Sequence, residues 1–454
     1  MSRPETTHWL ADAASRGAAY LEAIGDRPVR ADHAAVAALR ASLAGALPEA
    51  GSTAGRVLAD LDALGSPATV ATAGPRYFGF VTGGALPATV AAAVLAAAWD
   101  QNAFSNVSSE AGALFDEAAL RWLAALLGLP ATCGGALVTG ATMANLSALA
   151  AARHALLAKQ GWDVEANGLF GAPPFDVFVG AEVHASVRKA LALLGLGRER
   201  VHALPVDGAG RIRSDGLPRI AGPALVCAQA GNVNSGASDP FDALRAWCDG
   251  AGAWLHVDGA FGLFAAASPR LRGLVRGVER ADSWAADAHK WLNVPYDCGI
   301  VFVRDAAALR GAMASDASYL PEGGAFREPF HYGPELSRRA RGVEVVAALR
   351  SLGRAGVAEL VERCCALARR FEAGLRAAGH EVLNEVVLNQ VVVAFGDETS
   401  TARTIARVQE EGVCWCGPTR WRGRAAMRIS VSSWATREPD VDASLASILR
   451  CAGL

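Results

Sequence analysis

The chain has 454 residues, 52% of them hydrophobic and 19% charged, with a formal net charge of −2. That length allows two or three domains with substantial cores, and the charge balance gives no electrostatic basis for binding nucleic acid or an anionic membrane. The N-terminal Met-Ser-Arg-Pro-Glu-Thr-Thr-His lacks the basic-then-apolar order of a secretory signal. The longest apolar run, 86–99, is short of the roughly 20 residues a membrane span needs, so a soluble, cytoplasmic protein is expected.

Residues 1–75 alternate amphipathic stretches (7–24, 33–43 and 53–63) with Gly, Pro and Ser breaks and show no strand alternation. They read as an N-terminal helical arm that cannot bury itself alone and wraps another surface, such as a second subunit. Ser108-Ser109-Glu110 signals a helix start, followed by helix-spaced apolar residues through Leu127. Short apolar runs then appear at 136–138, 177–179, 201–204, 225–228, 254–257, 283–286 and 300–303, separated by helical stretches that include 143–158, 186–194 and 240–250. Strands without polar alternation, spaced by helices, predict a mostly parallel sheet covered on both faces, an α/β fold spanning 76–342. A long helix over 343–375 opens a smaller C-terminal α+β domain, 343–454, with strands at 381–383, 390–395 and 427–431 and a closing helix at 440–449. The nine cysteines are scattered: Cys364 and Cys365 are adjacent, and Cys414 and Cys416 have one spacer. Neither spacing suits zinc or a redox pair, so no metal is expected and the thiols are read as reduced.

The chemistry concentrates in Asp287-Ala-His-Lys-Trp-Leu-Asn293, whose Lys290 lies 32 positions after Asp258 in His-Val-Asp-Gly-Ala. A lysine beside an apolar stretch is expected to sit in a dry place that disfavours its ammonium form. The neutral amine is the nucleophile that a Schiff base with an aldehyde cofactor requires. Asp258 supplies the anion that keeps a pyridine nitrogen protonated. Both fall at the carboxyl ends of predicted strands, where sheets of this kind bind ligands. Together they point to pyridoxal 5′-phosphate. The strand–turn–helix segment 137–146 offers a phosphate cradle, with backbone N–H groups at a helix start and the Thr142 hydroxyl as an added donor. By itself that turn is a weak signal; its position relative to Asp258 and Lys290 gives it weight. His184 follows a predicted strand and either lies on the cofactor ring or is a capping or core histidine; His289 either reaches the phosphate or is a rim histidine, and Asn232 and Asn234 either donate to the cofactor or are turn residues.

The ordered segments Gly-Ala-Thr-Met-Ala-Asn-Leu (140–146), Glu-Val-His-Ala-Ser-Val (182–187), Gly-Asn-Val-Asn-Ser-Gly-Ala-Ser-Asp-Pro (231–240), His-Val-Asp-Gly-Ala-Phe-Gly (256–262) and Asp-Ala-His-Lys-Trp-Leu (287–292) resemble the group II pyridoxal-phosphate-dependent amino-acid decarboxylases. The likeness extends to Arg76–Gly84 and Leu336–Gly342 and covers most of residues 70–450. It implies the aspartate aminotransferase-like fold of the pyridoxal-phosphate-dependent transferases and a homodimer with shared active sites. It also implies Lys290 as the Schiff-base lysine, Asp258 as the ring-nitrogen partner and His184 as the stacking residue. Ala141 and Thr142 match phosphate positions, Ala260 a position against the ring, and His289 one near the phosphate. Phe80 and Val81 match substrate-pocket positions, and Asn102 and Phe104 match residues that reach the neighbouring subunit's pocket.

Two departures bear on the outcome. The family's mobile-loop tyrosine, which protonates the carbanion, falls in a short loop here (321–334), where ungapped counting places Pro329; the nearby Tyr332 is either its substitute or a packing residue on the loop. The family's threonine pair is Asn232-Val233. The expected reaction is α-decarboxylation of an L-amino acid, aromatic or otherwise uncharged, with Arg76 or Arg341 as possible partners of an acidic side chain instead. Aldehyde-forming oxidative decarboxylation and carbon–carbon lysis use the same lysine and aspartate. An aminotransferase, with Arg428 clamping the α-carboxylate, is a further alternative.

Overall fold

The computed structural model describes residues 3–315 and 327–453. The chain forms two compact units: Gly83–Arg369 with Asn384–Val391, and Met1–Thr82 with Arg370–Leu383 and Val392–Leu454.

The larger unit is built on a seven-stranded sheet of β1 (Gly134–Val138), β2 (Asp176–Gly180), β3 (His202–Leu204), β4 (Ala224–Gln229), β5 (Trp254–Asp258), β6 (Ser283–Asp287) and β7 (Gly299–Val303). Their spatial order is β1-β7-β6-β5-β4-β2-β3. Strand β7 runs antiparallel to both its neighbours, and all other pairings are parallel. Every residue of β1, β4, β5, β6 and β7 is buried, which is why these five strands read as unbroken apolar runs. The helix Ala141–Ala158 covers the sheet with Ala144, Ala148, Ala151 and Ala152, all fully buried. Small side chains let its backbone approach the strands closely, while Leu149 and Leu156 fill the remaining space, each burial contributing about 1.5–3 kcal/mol. Ser109 caps the helix Glu110–Leu127 by accepting from the Gly112 amide at 3.0 Å, as the Ser-Ser-Glu signal predicts.

The smaller unit carries a four-stranded sheet ordered β10-β11-β9-β8, from β8 (Glu381–Val382), β9 (Gln390–Ala394), β10 (Gly417–Trp421) and β11 (Arg424–Ser430). Strands β10 and β11 form a hairpin pairing Trp421 with Arg424. Both turn residues, Arg422 and Gly423, have positive φ (51° and 80°), the backbone a two-residue hairpin turn demands. The sequence reading lacks β10, whose Gly-Pro-Thr-Arg-Trp is neither apolar nor regularly alternating, and the polar helix Glu398–Glu411. The N-terminal helices belong to this unit: the Val29 amide donates to the Gly412 carbonyl at 2.7 Å, and Arg30 Nε to that of Glu410 at 2.8 Å. The expected division into 1–75, 76–342 and 343–454 therefore differs from the compact units, in which the first 82 residues gather with the last. The long helix Gly342–Ala377 also breaks at Gly353, where φ is 60°.

No helix among the described residues is long and apolar enough to cross a membrane. No group of His, Cys, Asp and Glu among them is arranged to hold a metal ion. The cysteines are free and all but Cys133 are buried. Burial pushes the thiols of Cys248 and Cys298 up to about 12, which keeps them protonated and unreactive.

Candidate active site

The carboxyl ends of the parallel strands bring the predicted residues of the larger unit to one rim. Gly140 and the helix Ala141–Ala158 follow β1, His184 follows β2, Asn232 follows β4, Asp258 ends β5, and Lys290 lies one turn past β6. Since β5 and β6 are adjacent and parallel, Asp258 and the turn carrying Lys290 stand side by side.

Asp258 is buried, and its oxygens are met by donors. Asn145 Nδ2 and Ser186 Oγ reach Oδ2 at 3.2 and 3.3 Å, and the Ala260 amide reaches Oδ1 at 3.2 Å. A buried carboxylate is tolerable only with such compensation. His184 caps the helix Ala185–Leu193: its Nδ1 accepts from the Ser186 amide at 3.2 Å and lies 2.8 Å from Ser186 Oγ. Its ring is exposed, leaving a face open to a planar ligand.

Lys290 departs from its expected setting. Its side chain is 18% exposed, and Nζ pairs with Asp287 Oδ2 at 2.9 Å. The lysine is thus held by a neighbouring anion rather than by dryness. The other oxygen of Asp287 accepts the Ala141 amide at 2.6 Å, occupying a donor at the start of the helix that follows β1. His289 is buried with Nε2 3.5 Å from Asp287 Oδ1; the Cys298 amide donates to its Nδ1 at 3.2 Å, and its ring packs on Tyr296. Burial draws the His289 imidazole below its usual range, so it stands neutral near pH 7.

Backbone contacts make this rim rigid. A Cβ on Gly83 would lie 1.7 Å from the Lys290 carbonyl oxygen, and one on Gly299 would fall within 2.4–2.7 Å of the Gly140 backbone. Only glycine fits where the chain passes so close. A Cβ on Gly140 would instead stand in the space facing His289 (3.4 Å) and Asp287 (3.6 Å).

The sequence profile of the pyridoxal-dependent decarboxylase conserved domain matches residues 38–395. The chain belongs to the pyridoxal-dependent decarboxylase family. It is 30% identical over 351 residues to an aromatic-L-amino-acid decarboxylase of Bacillus atrophaeus, covering 74% of this chain and 71% of the relative. It is likewise 30% identical over 314 residues to the acidic amino acid decarboxylase GADL1 of Mus musculus, covering 66% and 56%. The crystal structure of Oryza sativa TDC with PLP and tryptamine superposes with a TM-score of 0.90 at 24% identity, covering all of this chain and 98% of the other. The fold is that of the pyridoxal-phosphate decarboxylases, and the cofactor of the family is pyridoxal 5′-phosphate.

The residues present fit that group. The glycine at 140 leaves a cradle at a helix start, next to His289. The amide nitrogen of buried Asn232 has no hydrogen-bond partner among the described residues, its oxygen being taken by the amides of Asn234 and Ser235. An amine, a fixed carboxylate and an exposed ring lie on the same rim.

Other predicted residues of this decarboxylase-family chain are placed differently. Phe80 and Val81 lie in the smaller unit with positive φ (52° and 59°), a costly backbone for a β-branched residue such as Val81. Phe80 stacks on Trp415 and is 66% exposed. Arg428, on β11 of the same unit, is largely buried, which lowers its pKa. Asn102 contacts Ser337 Oγ at 3.3 Å and accepts the Arg338 amide at 3.0 Å, and Phe104 packs on Phe330. Tyr332 lies under the Arg327 guanidinium, 3.9 Å from its ring centre, against the core that includes Ala136 and Val138; no contact to Lys290, Asp258 or His184 is found among the described residues. Part of the loop 321–334 lies outside the described residues.

Sequence reasoning missed Asn145, Ser186, His256 and Asp287 as site residues. The available signals were the alternation in His256-Val-Asp258, which puts both side chains on one strand face, and the placement of Asp287 one helical turn before Lys290.

Proposed function

We propose that the chain removes the α-carboxylate of an L-amino acid, aromatic or otherwise uncharged, to give an amine and CO2. The observation that carries this reading is the convergence of Lys290, Asp258 and His184 on the ends of β6, β5 and β2. Bound pyridoxal 5′-phosphate supplies an electron sink for the pair left at Cα when CO2 departs. Asp258 presents a fixed anion toward the ring nitrogen. Gly140, Ala141 and Thr142 hold the phosphate with His289 beside it, Ala260 packs on the ring, and Asn232 donates to the cofactor. Lys290 Nζ is the attachment amine. His184, in its protonated form, is one candidate for returning a proton to Cα, and Tyr332 is the second. Positioned proton transfer of this kind contributes roughly 10²–10⁴-fold.

The substrate preference rests on the aromatic character of Phe80 and Phe104 and on the activity of the Bacillus relative. We also propose a cytoplasmic homodimer with shared sites, to which Asn102 and Phe104 contribute. Val94, Leu95 and Trp99 leave apolar surface exposed on the helix Pro87–Trp99, as an interface would require. A second reading, aldehyde formation with oxygen, is favoured by one observation: Tyr332 packs beneath Arg327, an arrangement that would have to open before its hydroxyl could serve as the donor.

Trapping CO2 from the purified protein across the common amino acids, with Lys290→Ala as control, tests the proposal. Release from an aromatic or uncharged substrate, with amine as product, supports it. No release from any of them despite bound cofactor overturns it, and oxygen uptake with peroxide and aldehyde selects the second reading.

A further inference from the structure

Behind Asp258, a line of hydrogen bonds runs along one face of β5, where Trp254, His256 and Asp258 alternate. Trp254 Nε1 meets Ser283 Oγ at 2.9 Å, and Ser283 Oγ meets His256 Nδ1 at 2.9 Å. His256 Nε2 meets Asn145 Oδ1 at 2.9 Å, and Asn145 Nδ2 meets Asp258 Oδ2 at 3.2 Å. Ser283 is the residue of β6 in register with His256.

The chemistry of the two ends sets the direction of every bond. An indole N–H only donates and an ionised carboxylate only accepts. Asn145 must therefore turn its NH2 to Asp258 and its carbonyl oxygen to His256, so His256 carries its proton on Nε2. Its Nδ1 is then an acceptor, and Ser283 must give it the hydroxyl proton while receiving that of Trp254. The imidazole is fully buried, which draws its pKa down to about 4 and keeps it neutral at physiological pH. Each group in the line gives a proton toward the carboxylate, and none gives one away from it.

We propose that His256 and Asn145 are positioning residues for Asp258: they form a one-way line of donors that fixes the carboxylate's orientation and the lone pairs it presents to the cofactor's ring nitrogen. This rests on Asp258 facing that nitrogen, as proposed above. Without the Nε2–H donor, the Asn145 amide keeps only its Nδ2 contacts to Ser186 Oγ and Asp258, and its carbonyl end loses its restraint.

Two measurements on full-length protein test this. In the wild-type protein loaded with pyridoxal 5′-phosphate, the ¹⁵N shifts of His256 at neutral pH should show the neutral Nε2–H form; an Nδ1–H form or a cation overturns the proposal. Among variants, His256→Leu should weaken pyridoxal 5′-phosphate binding on the order of tenfold, the scale of one lost hydrogen bond, and shift the visible absorption of the bound cofactor. His256→Gln, which can offer an N–H near the Nε2 position, should restore both. Equal effects of Leu and Gln, or none from Leu, overturn it. If His256→Leu does not fold, Ser283→Ala decides: freeing Nδ1 should move the His256 proton toward Nδ1 and weaken cofactor binding in the same direction, and an unchanged tautomer overturns the proposal. Asp258→Asn separates the two levels of argument. If it leaves binding and absorption intact, the site reading fails; if it changes both while His256→Leu changes neither, only the donor line fails.

Discussion

Two aspartates close neighbouring strands of the sheet, and their surroundings differ in kind. Asp258 at the end of β5 is met by neutral donors, Asn145, Ser186 and the Ala260 amide. Asp287 at the end of β6 is met by a charged lysine that is partly open to solvent and by the Ala141 amide. The first arrangement fixes a charge in place, because neutral donors stabilise it without cancelling it. The second pairs a carboxylate with an amine at 2.9 Å, so its charge is shared with a neighbour. On the proposed roles, the neutral donors hold the carboxylate that faces the ring nitrogen, and the ion pair holds the attachment amine.

The sharpest way to break this contrast is at the covalent side. Lys290→Ala should lower CO2 release on the order of 10³-fold or more, the scale of removing a covalent-catalysis nucleophile, and abolish borohydride trapping of the cofactor on the chain. Next comes the fixed charge. Asp258→Asn removes a buried anion with its donors left in place, a change on the scale of about 3–5 kcal/mol, and CO2 release should fall by roughly two to three powers of ten.

A pH series sharpens the comparison further. His256 has a folded-state pKa of about 4 against an ordinary value of about 6.5. Between those values the unfolded chain binds more protons than the folded one, so stability rises with pH. His256 thus costs nothing above about pH 6.5 and destabilises progressively as pH falls toward 4, by up to about 3 kcal/mol. Urea midpoints across that window should show the slope, and His256→Gln should flatten it. The smallest effect is expected at the ion-paired carboxylate. Asp287→Asn keeps an acceptor for the Ala141 amide but takes the anion away from a mostly buried lysine, so stability should fall by about 1–3 kcal/mol by chemical denaturation. A larger loss would mean that Asp287 is as fixed as Asp258.

The sequence made one half of this contrast legible. Strands buried on both faces are written as apolar runs, so five of the seven strands of the large sheet were readable on that ground, β2 nearly so and the exposed β3 from the short run 201–204 alone, and with them the rim on which Lys290, Asp258 and His184 sit. The polar strand β10 was not, because half its residues face outward and it includes a proline. Asp287 escaped notice as a partner of Lys290 because spacing alone does not tell which way a side chain turns. Asn145 was visible only as a letter in a helix; its value comes from Asp258 and His256, each more than a hundred positions away. The dryness inferred for Lys290 failed for a related reason. Apolar neighbours in sequence describe the strand it follows, whereas its surroundings are set by the turn after that strand, by Asp287 and by solvent.

Strand β7 alone runs against the others, so it delivers its first residue, not its last, to the rim, and Gly299 there abuts the Gly140 backbone. A side chain at that spot would press on the Gly140 backbone and pry the strand from the turn that opens the helix Ala141–Ala158. Diversification toward new amino acids must then enter from other margins, leaving this seam as the inert keel around which the remaining chemistry is free to vary.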